Sequence, residues 1–239
     1  MLISRDFFAR HSVQVAPDLL GCVLEHQTAV GLVAVELTEV EAYAGETDPA
    51  SHAYHGKTRR NAVMFGPPGH AYVYFTYGMH FCVNLVCLGN GSASAVLLRA
   101  GAVIEGEDLA RARRTSRRAS DDLNGSRLAF RDLARGPARL CQALGIDRSL
   151  DGGDVCTADS PLRVRWPSAG TTARSGAVPA RGDDPPRPPR GKIASGPRVG
   201  VSVAAEVPWR FWIEGEPTVS AYRRGGPRGS KALPGVQPD

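Results

Sequence analysis

The sequence predicts an α+β fold built as one mixed domain, and three observations predict it. A chain of 239 residues is long enough for one well-buried core and need not divide into two. Runs rich in β-branched and aromatic residues recur along it, several in hairpin-like pairs. Shorter segments with helix start and stop signals lie between them. The apolar fraction of 42% is that of an ordinary soluble globular protein.

Taken in order, "SRDFFARHS" reads as a short helix capped at Ser4 or Asp6. A second helix follows Ala16-Pro17, with proline in its first turn and Gly21 near its stop. "CVLEHQT" and "GLVAVELTEVEAY" are strands joined by a turn. Asp48 to Pro68 is a polar, basic connection. "HAYVYFTYGMHFCVNLVCLG" is a hairpin turning near Gly78, and "ASAVLLRAGAVIEG" another strand. "EDLARARRTSRRA" is a basic helix-prone run, and "ARGPARLCQALGI" a helix with Pro137 near its start. "LRVRW", "RVGVSVA", "RFWIEG" and "TVSAY" are the remaining strand candidates. Pro167 to Pro197 is rich in Pro, Gly, Ser and Arg and lacks the large apolar residues needed to offset chain ordering, so a disordered insertion is expected there. The domain is then expected to span residues 1–224, with a flexible tail at 225–239.

Composition narrows function only a little. The net charge of +5 mildly favours a polyanionic partner. Five cysteines without a CxxC pair argue against a disulfide framework and a zinc knuckle, leaving reduced thiols. No apolar run approaches the length that spans a bilayer, and "MLISRDFFARHS" carries charges where a signal peptide would be apolar. The expectation is a soluble, cytoplasmic protein.

Three stretches carry candidate chemistry. In "GLVAVELTEVEAY", strict alternation puts Val33, Val35, Leu37, Glu39 and Glu41 on one face. A buried face that ends in two carboxylates is costly unless they are paired or used; otherwise the strand leaves the core at Thr38 and both are solvated. Same-face residues lie about 6.5–7 Å apart along a strand, a spacing compatible with carboxylates flanking a glycosidic bond. In "SHAYHGKTRRN", His52 and His55 lack a third suitably spaced ligand, so no metal is expected. Lys57, Arg59 and Arg60 are residue types that grip phosphates, or else form a solvated basic turn. In the hairpin, Tyr72, Tyr74 and Thr76 share one face, and Val73, Phe75 and Tyr77 the other. Asn84 is a polar residue among apolar strand neighbours. Core packing accounts for Tyr72 and tolerably for Tyr74, but not for large side chains on the turn "YGMH". An aromatic held on a rigid tip suits insertion into stacked bases.

Read in order, "TEVEAY", "DPASHAYHGKTRRNAVMF", "YVYFTYGMHFCVN", "VLLRA", "GPARLCQALGI" and "PRVGVSVAAEVPWRFWIEGEPTVS" resemble the alkyladenine (3-methyladenine) DNA glycosylase family of the mammalian type. The resemblance runs from the first helix to Trp166 and resumes near Ser195. It implies a curved antiparallel sheet with a protruding β-hairpin and surrounding helices, and no cofactor. It also implies residue roles. Glu41 matches the general base that activates water, and Arg99 an arginine near that water and the target's backbone. Tyr43, His52 and Tyr74 match walls of the base pocket, and Asn84 the pocket amide that disfavours normal guanine. Tyr77 matches the minor-groove wedge, flanked by Met79 and by His80, which stands where mammalian relatives carry tyrosine. Glu39 is left with a structural or hydrogen-bonding role. The implied partner is double-stranded DNA containing damaged purines, bound by a monomer that associates with the nucleoid in a bacterium. The implied activity is monofunctional hydrolysis of the N-glycosidic bond in base excision repair. Two other readings stay open: a polysaccharide glycosidase using Glu39 and Glu41, and a non-catalytic binder of distorted DNA using the hairpin.

Overall fold

The computed structural model describes residues 1–76, 78–89, 91–115, 128–167 and 191–226. The chain opens with helices α1 (Arg5–Phe8) and α2 (Ser12–Asp18). Pro17 closes α2 and does not open a helix. The start lies earlier because the His11 side chain accepts from the Val13 amide, and histidine is not among the usual capping residues. Strands β1 (Val23–Thr28), β2 (Gly31–Tyr43), β3 (Ala71–Thr76), β4 (His80–Val86) and β5 (Ala95–Glu105) follow as the patterns predict. Then come α3 (Glu107–Thr115) and α4 (Pro137–Leu144), the latter with proline at its start and Gly145 left-handed at its stop. Strands β6 (Leu162–Arg165), β7 (Ile193–Gly196) and β8 (Arg210–Ile213) complete the order.

All eight strands join one curled antiparallel sheet in the order β3-β4-β5-β2-β1-β6, with β8 pairing both β2 and β7. The long strand β2 organises it. One edge of β2 runs along β5. The other is shared, by β1 over residues 31–36 and by β8 over residues 39–41. The sequence RVGVSVA forms no strand, and neither does TVSAY. Both are tied down by discrete bonds to side chains of other elements: the Val199 amide to Glu41 and the Ser220 amide to Glu39. Residues 193–196, within the expected insertion, form β7, so the sheet resumes before Pro197. Most of that insertion (168–190), the tail from 227, Arg117 and Arg118 of the basic run, and Tyr77 lie outside the described residues.

Alternation fails at one place in β2. Leu37 pairs with Gly101 but Glu39 pairs with Ala100, so Thr38 is an extra residue, a β-bulge that reverses which face later residues occupy. Val33, Val35 and Leu37 pack into the main core, and after the bulge Val40 and Ala42 take over that role. Glu39, Glu41 and Tyr43 therefore share the opposite face. The sequence-based placement of the glutamates beside Val33, Val35 and Leu37 is corrected by this single residue. The main core fills the space between the sheet, α2 and α4. A smaller cluster of Ala53, Met64, Phe65, Tyr72, Val86, Ala93 and Ala95 covers the other face. Among the described residues no helix is long and apolar enough to cross a membrane, and all five cysteines are unpaired thiols.

Candidate active site

The second face of the sheet presents a lateral row of residues. Tyr72 pairs with Asn84, Asn84 with Leu97, Leu97 with Glu41 and Glu41 with Arg210. Directly paired residues of antiparallel strands project to the same side, so the row crosses five strands and carries pocket, carboxylate and cation in sequence. Beside it opens a pocket lined by Tyr43, Ala50, Ser51, His52, Met64, Tyr72, Tyr74 and Asn84. Its walls are aromatic. Tyr72 and Tyr74 lie stacked with ring centroids 5.6 Å apart, and His52 stands edge-on to Tyr74 at 4.6 Å. His52 Nδ1 lies 3.3 Å from the Tyr72 hydroxyl. The residue is exposed overall, yet desolvation of its ring, reinforced by the Arg60 charge, lowers its pKa and favours neutral imidazole. The Asn84 amide donates to the Tyr72 carbonyl at 3.3 Å.

Glu41 is fully buried, which overturns the solvated reading of this carboxylate. Its Oε2 accepts from the Tyr43 hydroxyl at 2.9 Å and its Oε1 from the Val199 amide at 2.7 Å. The Arg99 guanidinium approaches Oε1 at 3.2 Å. Desolvation, followed by the Glu41 charge, pushes the Tyr43 phenol well above its usual value, so it remains a donor. Glu39 is equally buried and is more tightly enclosed. Arg99 Nε and Arg210 Nε each donate to it at 2.8 Å, the Ser220 amide at 2.7 Å and the Ser220 hydroxyl at 2.9 Å. Burial raises its pKa, but the two guanidinium groups and the Ser220 bonds outweigh that, and the net shift is downward. Arg99 thus bridges two carboxylates. Burial opposes its charge, but Glu41 and Glu39 together hold it protonated more firmly than an ordinary arginine.

A sequence profile of the family described as methylpurine-DNA glycosylase (MPG) matches residues 6–217. The chain belongs to the methylpurine-DNA glycosylase family. Among its relatives, a protein of Streptomyces avermitilis named "Putative 3-methyladenine DNA glycosylase" is 51% identical over 227 residues, covering 95% of this chain and 94% of the relative. Proteins of the same name from Leifsonia xyli (48% identical, covering 92% of each chain) and Frankia casuarinae (49%, covering 91% of this chain and 92% of the relative) are similarly alike. The chain is therefore a DNA glycosylase of base excision repair.

In this methylpurine-DNA glycosylase, the residues singled out from sequence are brought together unevenly. Tyr43, His52, Tyr74 and Asn84 line the pocket, while Glu41 and Arg99 do not line it and are joined to it through the Tyr43 hydroxyl on Glu41. Lys57, Arg59 and Arg60 are exposed on the loop beyond His52, and Arg60 reaches the Tyr72 hydroxyl. At the hairpin tip Met79 is 59% exposed, while His80 is half-buried; Tyr77 lies outside the described residues. Tyr72, assigned to core packing from sequence, lines the glycosylase pocket as well. Sequence reasoning also missed Arg210 and Ser220, which enclose Glu39, and the amide of Val199. None of these carried a local signal, because each acts on β2 from far along the chain.

Proposed function

We propose that this methylpurine-DNA glycosylase takes alkylated or deaminated purines out of duplex DNA into the aromatic pocket and releases them by hydrolysis, leaving an abasic site. The observation that carries this reading is Glu41, a wholly buried carboxylate bonded by the hydroxyl of Tyr43, itself a wall of the tyrosine- and histidine-lined pocket, and fixed by three donors in all. The names of the relatives support methylated adenine as a substrate. A base inside the duplex cannot be reached, so it must be extruded and held by stacking. The hairpin tip, with Tyr77, Met79 and His80, is the element suited to enter the minor groove and fill the gap. Exposure of Lys57, Arg59 and Arg60, residue types that grip backbone phosphates, supports a role for them in holding the DNA.

The chemistry follows from the groups present. Alkylation at a ring nitrogen leaves a cationic purine, attracted to tyrosine faces and already a good leaving group. Water held by Glu41 attacks C1′ and passes a proton to the carboxylate as the N-glycosidic bond breaks. The bonding electron pair leaves with the base. The negative charge of Glu41 stabilises the positive charge developing at C1′. Asn84 offers an amide to the edge of the base, where it disfavours guanine. Among the described residues no lysine lines the pocket, so the enzyme acts monofunctionally and does not cut the strand through a Schiff base. We take it to act as a monomer.

The glycosidase alternative fares worse. Its general acid must hold a proton, whereas Glu39 has its pKa lowered and its oxygens occupied by Arg99, Arg210 and Ser220. The deciding experiment incubates the protein with a duplex carrying one hypoxanthine or methylated purine and scores abasic sites. Wild type generates them. Glu41→Gln lowers the rate by about 10²–10⁴-fold, the range of a general base, and a DNA-distortion binder would hold the lesion without product. No release by wild type, or undiminished release by Glu41→Gln, sinks the reading.

A further inference from the structure

Arg198 and Asp48 are buried, Arg198 completely, and neither belongs to the chemistry described so far. Their guanidinium and carboxylate meet two-fold, Nη1 to Oδ2 at 2.5 Å and Nη2 to Oδ1 at 2.9 Å. Taking two charges out of water is expensive, and such a pair does little for stability by itself. Its neighbours therefore matter.

Every further contact of the pair leads to the site. Arg198 Nη1 also donates to the Ala42 carbonyl at 3.1 Å, on the peptide that joins Ala42 to Tyr43. The guanidinium carbon lies over the Tyr43 ring, 4.7 Å from its centroid, and over the Trp209 ring at 5.3 Å. Tyr43 is the residue whose hydroxyl bonds Glu41. The residue after Arg198 is Val199, whose amide supplies the second bond to Glu41. On the other side, Asp48 accepts from the amides of Ala44 and Ala50. It thereby fixes the turn that leads to Ala50, Ser51 and His52 on the pocket wall. Three N–H groups of the guanidinium are committed to Asp48 and the Ala42 carbonyl, and the only polar atom of Arg198 without a partner among the described residues is Nε.

We infer that the Asp48–Arg198 pair is a positioning clamp for the reaction. Through stacking and backbone continuity it sets the Tyr43 hydroxyl and the Val199 amide on the Glu41 carboxylate, so that the carboxylate is aimed when the damaged nucleotide arrives. The clamp needs a planar, forked cation: a lysine keeps the charge but has neither the fork nor a planar face to set over the rings. Misplacing a catalytic group by an ångström costs rate far more than binding.

This inference rests on Glu41 being the activating carboxylate, and the experiment separates the two claims. Wild type, Arg198→Lys, Tyr43→Phe, the double variant and Glu41→Gln are compared on one lesion duplex, with single-turnover excision rate and duplex Kd measured for each. Arg198→Lys is expected to lose about tenfold or more in rate with Kd within about twofold. It should add less than its own effect on top of Tyr43→Phe, because one of the two donors it sets is already missing there. Glu41→Gln remaining active would defeat the functional reading. Glu41→Gln inactive with Arg198→Lys as fast as wild type would defeat the clamp alone. So would a rate loss fully additive with Tyr43→Phe, or a fall in Kd affinity equal to the fall in rate. Where Arg198→Lys lacks a native melting transition, the isosteric Asp48→Asn takes its place: a rate loss beyond its change in Kd supports the clamp, and an unchanged rate overturns it.

Discussion

At the scale of single residues, Glu39 is a wholly buried carboxylate whose cost of burial is met by its partners. It holds Arg99 against Glu41 and is itself satisfied by Arg210 and Ser220. Its pKa in the fold lies below the usual 4.5. A group with a depressed folded pKa stabilises above its unfolded pKa, and that contribution disappears as pH falls through the folded value. Melting temperature should therefore decline below a pH of about 4.5 more steeply in wild type than in Glu39→Gln. At neutral pH the same substitution leaves Arg99 and Arg210 short of a buried counter-charge and should cost about 3–5 kcal/mol in urea unfolding. Equal stability of the two proteins at pH 7 would show that the network is dispensable. Glu41 is singled out through the resemblance of "VEAY" to the family's motif; alternation alone leaves it open between a solvated and a used carboxylate, and only the fold shows it buried. Arg198 is not singled out, because nothing around "GPRVGV" reveals an aspartate 150 residues earlier.

At the scale of elements, alternation served the β3–β4 hairpin and failed in β2 for one physical reason. The hairpin register runs unbroken from Ala71↔Leu85 to Thr76↔His80, so period two holds throughout. In β2 the extra residue Thr38 lets the strand change faces, and a bulge leaves no reliable mark in one sequence. Beside it the strands β2 and β5 pass unusually close at Gly101. A Cβ there would lie 2.3 Å from Val35 Cγ1 and 2.4 Å from the Glu36 carbonyl oxygen. Gly101→Ala should accordingly destabilise by about 1–3 kcal/mol through forced separation of the strands, read as a lower urea midpoint with unchanged slope. A neutral effect would mean that the two strands can part without cost. The segments RVGVSVA and TVSAY looked like strands because they carry strand residues; they bond to side chains of β2, whose own edges are already lined by β1, β5 and β8.

At the scale of the whole molecule, the sequence conveyed the class of fold and the order of its parts, because several motifs in succession constrain one another. The net charge of +5 said only that a polyanion is welcome; the structure adds that Lys57, Arg59 and Arg60 are exposed on the loop next to the pocket. Each that neutralises a phosphate releases a counterion. Replacing one by alanine should reduce the slope of log K against log salt by about 0.9 in duplex binding, with little change in lesion preference. A slope unchanged for all three would remove this loop from the DNA contact.

The bonds that complete the site also join distant parts of the chain: Val199 lies 158 residues after Glu41 and Ser220 lies 181 after Glu39. During translation, β2 leaves the ribosome with two carboxylates most of whose partners, Tyr43 apart, have yet to be polymerised, and charges of this kind resist burial until they are met. This buried charge network is consequently among the last things the nascent chain assembles, and a copy abandoned in mid-synthesis would lack it.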